Sequence, residues 1–227
     1  MSASVQMDTV QAAVADRLRV SEIFYSLQGE TRTVGWPTVF VRLTGCPLRC
    51  GYCDTEYAFR GGRWMAVKAI LSEVAAFGAR YVTVTGGEPL AQKNCLKLLG
   101  RLCDLDYQVS LETSGAMDIR DVDPRVVKVV DLKTPGSGEV DKNLYRNINH
   151  LEPKDQVKFV ICDRIDYEWA KAALDQYQLD GRCEVLFSPS HGQLDAGLLA
   201  DWMLADRLPV RLQIQLHKYL WGDVPGR

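Results

Sequence analysis

The chain has no excess of charge of either sign. Its 27 lysines and arginines stand against 29 aspartates and glutamates, a net charge of −2. Binding nucleic acid by counterion release needs a cationic surplus, so no nucleic-acid partner is expected. No apolar run approaches the roughly 18 residues of a membrane span, and no membrane partner is expected either. Glycine (18) and proline (9) are too sparse in 227 residues for a collagen-like or low-complexity chain. The first 19 residues carry Asp8 and Asp16 where a secretory leader has its apolar core, so no export signal is read there. Histidine is scarce, and none of His150, His191 and His217 lies at zinc-finger spacing.

What the chain does have is seven cysteines, an odd number unevenly placed. Cys46, Cys50 and Cys53 fall within eight residues, while Cys95, Cys103, Cys162 and Cys183 are scattered through apolar periodic segments. A secreted disulfide framework is shorter and more evenly stapled, so a reducing cytoplasmic compartment is expected. The four scattered thiols read as small buried hydrophobes.

Length and composition fit one domain over residues 20–227, preceded by a mobile arm of residues 1–19. Strands are predicted at Val20–Leu27, Thr38–Thr44, Tyr81–Thr85, Gln108–Glu112, Val126–Leu132, Val157–Cys162, Cys183–Phe187 and Val210–Leu216. Helical periodicity covers Ala66–Phe77, Asn94–Cys103, Tyr167–Tyr177 and Ala196–Ala205, with a weaker signal over Val140–Ile148. This alternation predicts an α/β fold, a partial (open) β/α barrel of about six mainly parallel strands. Ligands of such sheets gather at the carboxyl ends of the strands.

The segment Cys46-Pro47-Leu48-Arg49-Cys50-Gly51-Tyr52-Cys53 spaces three thiols as C-x3-C-x2-C on one loop after a strand. Two readings stand open: a zinc site with a distant fourth ligand, or a [4Fe–4S] cluster with one iron left free. The lack of a companion cysteine pair favours the cluster. A second motif, Thr85-Gly86-Gly87-Glu88-Pro89, lies between strand and helix, where paired glycines let the backbone approach a ligand.

Together the two motifs resemble the signature of the radical S-adenosylmethionine (SAM) superfamily. The resemblance implies a [4Fe–4S] cluster on Cys46, Cys50 and Cys53. It also implies SAM held by Tyr52, Gly86, Gly87 and Glu88, with Lys133, Thr134, Pro135 and Ser188 lining the adenosyl site.

Four further segments are Ser26–Glu30, Arg42, Asp54-Thr55 and Gln215–Leu220. With them the chain resembles the 7-carboxy-7-deazaguanine synthases from about Val20 to about Trp221. That family implies a lyase of queuosine biosynthesis that turns 6-carboxytetrahydropterin into 7-carboxy-7-deazaguanine and loses ammonia. It implies Mg2+ at Thr55 and substrate contacts from Leu27, Gln28, Gly29, Glu30, Arg42, Thr85 and His217. It also implies a homodimer and an external, flavodoxin-like reductant. Two other readings are a radical activase of a glycyl-radical enzyme and a non-catalytic iron–sulfur or zinc protein.

Overall fold

The computed structural model describes residues 16–224 and Gly226. Among these residues there are nine strands: β1 Arg17–Leu27, β2 Pro37–Leu43, β3 Arg63–Ala66, β4 Tyr81–Gly86, β5 Gln108–Thr113, β6 Val127–Asp131, β7 Gln156–Ile161, β8 Glu184–Pro189 and β9 Arg211–Leu212. The helices are α1 Val67–Ala76, α2 Cys95–Asp104, α3 Arg164–Tyr177, α4 Ala196–Ala205 and α5 Leu216–Trp221. All nine strands form one sheet in the order β3-β1-β2-β4-β5-β6-β7-β8-β9. From β2 through β9 neighbouring strands are parallel; β1 runs antiparallel to both β2 and β3. β3 and β9 are not paired with each other, so the sheet is an open partial barrel, with seven parallel strands.

Val39, Val41, Val82, Val84 and Leu111 of the strands are fully buried in one cluster with Ile70, Leu98, Leu102 and Leu199 of the helices. Each such side chain stabilises the fold by about 2 kcal/mol. The helices start where the sequence supplies caps. Asp163 accepts from the Asp166 N–H at 3.0 Å at the head of α3, and Asp195 from the Leu198 N–H at 2.9 Å at the head of α4.

Several expectations need correction. Residues 1–15 of the expected arm lie outside the described residues, whereas Arg17–Arg19 belong to β1 and pair with β3. β3 escaped the pattern reading because Met65 alone of its four residues is buried. The last strand is only Arg211–Leu212. The chain continues its ladder by one bond, Gln213 N–H to Phe187 O, and then leaves the sheet as the Leu216 N–H donates to Gly29 O at 2.9 Å. The His217 segment is therefore helix α5, not strand. Val140–Ile148 forms short 3-10 turns, Val140–Lys142 and Tyr145–His150. Cys95, Cys103 and Cys183 are buried, but Cys162 at the end of β7 is only partly so. No helix among the described residues is long and apolar enough to cross a membrane.

Because β1 is antiparallel, the β1–β2 loop starts from the opposite edge of the sheet to the cysteine loop. The loop forms the floor of the barrel. Gln28 Nε2 donates to Thr83 Oγ1 at 3.0 Å on β4, and the Arg32 N–H donates to Gln156 Oε1 at 3.0 Å on β7. The cysteine loop after β2 forms the roof.

Candidate active site

Roof, floor and α5 enclose a cavity of about 720 Å³, within the range of small-molecule sites. It is lined by Cys46, Cys50 and Cys53 together with Leu27, Gln28, Gly29, Glu30, Arg42, Tyr52, Thr55, Thr85, Gly86, Gly87, Lys133 and His217. Fifteen residues singled out in the sequence thus meet in one space. Thr134, Pro135, Ser188 and Glu88 do not line it. Thr134 is buried and donates from Oγ1 to Val160 O at 2.9 Å, and the wall beside Ser188 is made by its neighbours Pro189 and Ser190.

At the roof, the Leu48 N–H donates to Cys46 Sγ at 3.4 Å and the Cys53 N–H to Cys50 O at 3.2 Å. The Gly51 N–H donates to Ser137 O at 3.0 Å, tying the loop to the chain after β6. Burial pushes all three thiols above their ordinary pKa, and Lys133 pulls each partly back. Among the described residues no set of three His, Cys, Asp or Glu side chains converges on a single metal ion. The three thiols line the cavity from a single loop, as the three protein ligands of a [4Fe–4S] cluster would. The adjoining wall fits a polar cofactor. Among the described residues Tyr52 Oη and Asp131 Oδ1 are buried without a hydrogen-bond partner, and Lys133 Nζ sits 2.7 Å from Asp131 Oδ2.

The glycine pair has a packing reason as well. A Cβ on Gly87 would stand 2.2 Å from Gly45 O, and one on Gly86 would stand 2.2 Å from Leu43 O. The Gly87 and Glu88 N–H groups donate to Leu43 O at 3.1 Å and Gly45 O at 2.7 Å. Glycine therefore lets this turn press against the root of the cysteine loop. Glu88 lies behind the wall, fully buried, and accepts from the Leu90 N–H, Thr113 Oγ1 and both the N–H and Oγ of Ser114 at 2.5–2.9 Å. Its side chain fastens the glycine turn to the end of β5.

The rest of the cavity lining is densely charged. Lys158 Nζ lies 2.9 Å from Glu30 Oε2, and Thr85 Oγ1 donates to Glu112 Oε2 at 2.9 Å. Burial and the neighbouring Glu30 raise the Glu112 carboxyl above the usual range, while Lys158 opposes the rise. Lys158 is itself held above the ordinary lysine value: burial lowers it, but Glu30, Asp131 and Glu112 together outweigh that. His217 faces Gly29 so closely that a Cβ there would stand 2.1 Å from Nδ1, and burial lowers its pKa. Thr55 Oγ1 donates to Asp54 Oδ1 at 2.9 Å, leaving its lone pairs unused. Asp54 is held well below the usual range. Burial opposes this, and hydrogen bonds from Gln215 and Lys218 prevail.

Lys158, Glu112, Asp131 and Gln215 line the cavity and had no assigned role in the sequence reading. The available signal was Lys158, the one charge in the otherwise apolar run Val157–Cys162. A charge in a strand covered on both faces needs a partner.

A model of the radical SAM superfamily matches residues 40–179. The chain is 48% identical over 208 residues to the 7-carboxy-7-deazaguanine synthase of Chlorobaculum tepidum, covering 90% of this chain and 94% of that one. It is 42% identical to that of Koribacter versatilis, covering 90% and 97%. Among solved structures, QueE from Escherichia coli superposes with a TM-score of 0.72 at 24% identity, over 88% of this chain and 94% of that one. SuiB of Streptococcus suis bound to S-adenosylmethionine gives 0.51 at 14% identity, over 75% and 44%.

Proposed function

The chain belongs to the 7-carboxy-7-deazaguanine synthase family of the radical SAM superfamily, and on that premise we propose how its cavity turns 6-carboxytetrahydropterin into 7-carboxy-7-deazaguanine with loss of ammonia. It is a radical SAM enzyme of queuosine biosynthesis that uses a [4Fe–4S] cluster and SAM. The observation that carries the assignment of residues is that one cavity brings together two sets of groups: three free thiols beside Lys133, and the polar side chains Glu30, Glu112, Lys158, Arg42 and His217.

When bound, the cluster and SAM supply the radical that removes hydrogen from the substrate. Cys46, Cys50 and Cys53 would hold the cluster through three of its irons. The Gly86-Gly87 backbone, Tyr52 and Lys133 orient SAM. Thr134, Pro135 and Ser188 act from behind that wall, and Glu88 keeps the glycine turn in place. Main-chain groups of Leu27–Gly29 and the Glu30 carboxylate read the donor edge of the pterin. Arg42 presents a fork to its carboxylate. His217, kept neutral by burial, offers one donor and one acceptor. Thr85 holds Glu112, whose raised pKa suits it to carry a proton beside the substrate. Thr55 and the substrate carboxylate would supply hard oxygen ligands to Mg2+.

Two partners and a compartment complete the reading. An external, flavodoxin-like reductant meets the exposed side of the cysteine loop at Arg49 and Gly51. A second copy covers Trp64, Tyr25 and Trp36, apolar side chains left exposed around β1 and β3. Seven free cysteines suit the cytoplasm.

The test is anaerobic turnover. Reconstituted protein given reductant, SAM, Mg2+ and 6-carboxytetrahydropterin is expected to form 7-carboxy-7-deazaguanine. An intact cluster with no product overturns the reading. Cys50→Ala is expected to lose the cluster's iron and colour; retention of four irons per chain refutes the ligand assignment.

A further inference from the structure

Glu22 sits beside Arg42, does not itself line the cavity and has no part in the reading above, yet its surroundings are built around one contact. Arg42 Nε donates to Glu22 Oε1 at 2.7 Å, and Tyr57 Oη donates to the same oxygen at 2.8 Å. Among the described residues, Arg42 makes no other hydrogen bond from its guanidinium, so both Nη groups are uncommitted at the cavity. The rings of Phe24 and Tyr57 flank the guanidinium, each centroid 5.8 Å from Cζ. The pairing register explains how Glu22 comes to be there. Val20 pairs with Leu43 and Glu22 with Arg42, so Ser21 is an extra residue, a β-bulge that sets Glu22 directly opposite Arg42. Without it the alternation of the strand would turn Glu22 to the other face.

We propose that Glu22 is the positioning residue of the Arg42 fork: it takes the Nε–H, fixes the plane of the guanidinium between Phe24 and Tyr57, and so presents two parallel Nη donors to the carboxylate of the substrate. The proposal rests on the assignment of Arg42 to that carboxylate. Its electrostatic sign makes it testable. Glu22 partly neutralises Arg42, so charge alone would have Glu22→Ala bind an anion more tightly. If orientation governs, the variant binds it more weakly, because bidentate recognition depends on the plane of the fork.

The experiment measures binding of 6-carboxytetrahydropterin and of tetrahydropterin lacking the carboxylate to cluster-loaded protein with SAM. Glu22→Ala is expected to reduce the preference for the carboxylated ligand about tenfold, the scale of one charge-assisted hydrogen bond, with SAM affinity unchanged. Glu22→Gln, which keeps an acceptor for Nε–H, is expected to restore most of the preference. An unchanged or increased preference in Glu22→Ala overturns the proposal, as does equal weakening of both ligands. Arg42→Ala separates the two ideas. If it retains the preference, the carboxylate assignment itself fails. If it abolishes the preference while Glu22→Ala does not, that assignment stands and the role of Glu22 fails.

Discussion

Glu30 from the floor and Asp54 from the cysteine loop share one donor: Gln215 Nε2 lies 3.0 Å from Glu30 Oε1 and 3.0 Å from Asp54 Oδ2. An amide nitrogen carries two protons, and each is given to one carboxylate. Residues 24 positions apart in the sequence are thus held together by the residue that precedes α5. Lys218 adds a cation 3.2 Å from Asp54 Oδ2.

Gln215→Leu should leave both carboxylates without this donor while preserving much of the packing. Charge-assisted hydrogen bonds contribute about 1.5–3 kcal/mol, so KM for the pterin should rise at least about tenfold. Steady-state kinetics at saturating SAM check this. A KM within twofold of wild type would mean that the amide does not set the position of Glu30.

Glycine substitutions should separate packing from function. In Gly29→Ala the new Cβ meets the His217 ring, a side chain that can rotate away. Activity should therefore fall well beyond the loss of stability, and in the manner of His217→Ala. In Gly87→Ala the obstacle is the Gly45 backbone. The roof must shift, costing about 1–3 kcal/mol as overpacking does and weakening SAM binding. Paired thermal melts and SAM titrations distinguish the two.

Lys158 and Glu30 form an ion pair whose side chains are only 16% and 13% exposed. Removing one partner of a buried pair costs about 3–5 kcal/mol because the other charge is stranded. Lys158→Met should approach that cost. The double variant with Glu30→Gln should cost less than the sum of the singles. Urea unfolding of all four proteins tests this, and additive losses would show that the pair does not act as a unit.

Glu112 gives a pH prediction. Its folded pKa is raised by burial and by Glu30 above the ordinary 4.5. A carboxyl of this kind favours the folded state while protonated. That contribution is complete below the unfolded pKa and is lost as pH rises through the folded one. The always neutral Glu112→Gln should therefore gain stability relative to wild type as pH rises above the ordinary carboxyl value of 4.5 toward the raised folded value, even as turnover drops. Denaturation at several pH values checks this. A constant gap would mean that Glu112 titrates as in the unfolded chain.

The sequence by itself determined the parts that depend on local spacing. Apolar periodicity located α1 to α4 and the parallel strands, and C-x3-C-x2-C with the Gly86-Gly87-Glu88 turn marked the cofactor end. Tertiary structure decided the rest. The antiparallel pairing of β1 made Gln28–Glu30 a floor opposite the cysteines, although both segments follow strands. A one-residue bulge at Ser21 brought Glu22 to Arg42, and register set Lys158 beside Asp131. The bond from Leu216 to Gly29 ended the last strand early and turned the His217 segment into a helix. Local spacing reports which residues share a face. Lys158 and Glu112 acquire their shifted pKa values only when distant elements exclude water around them together.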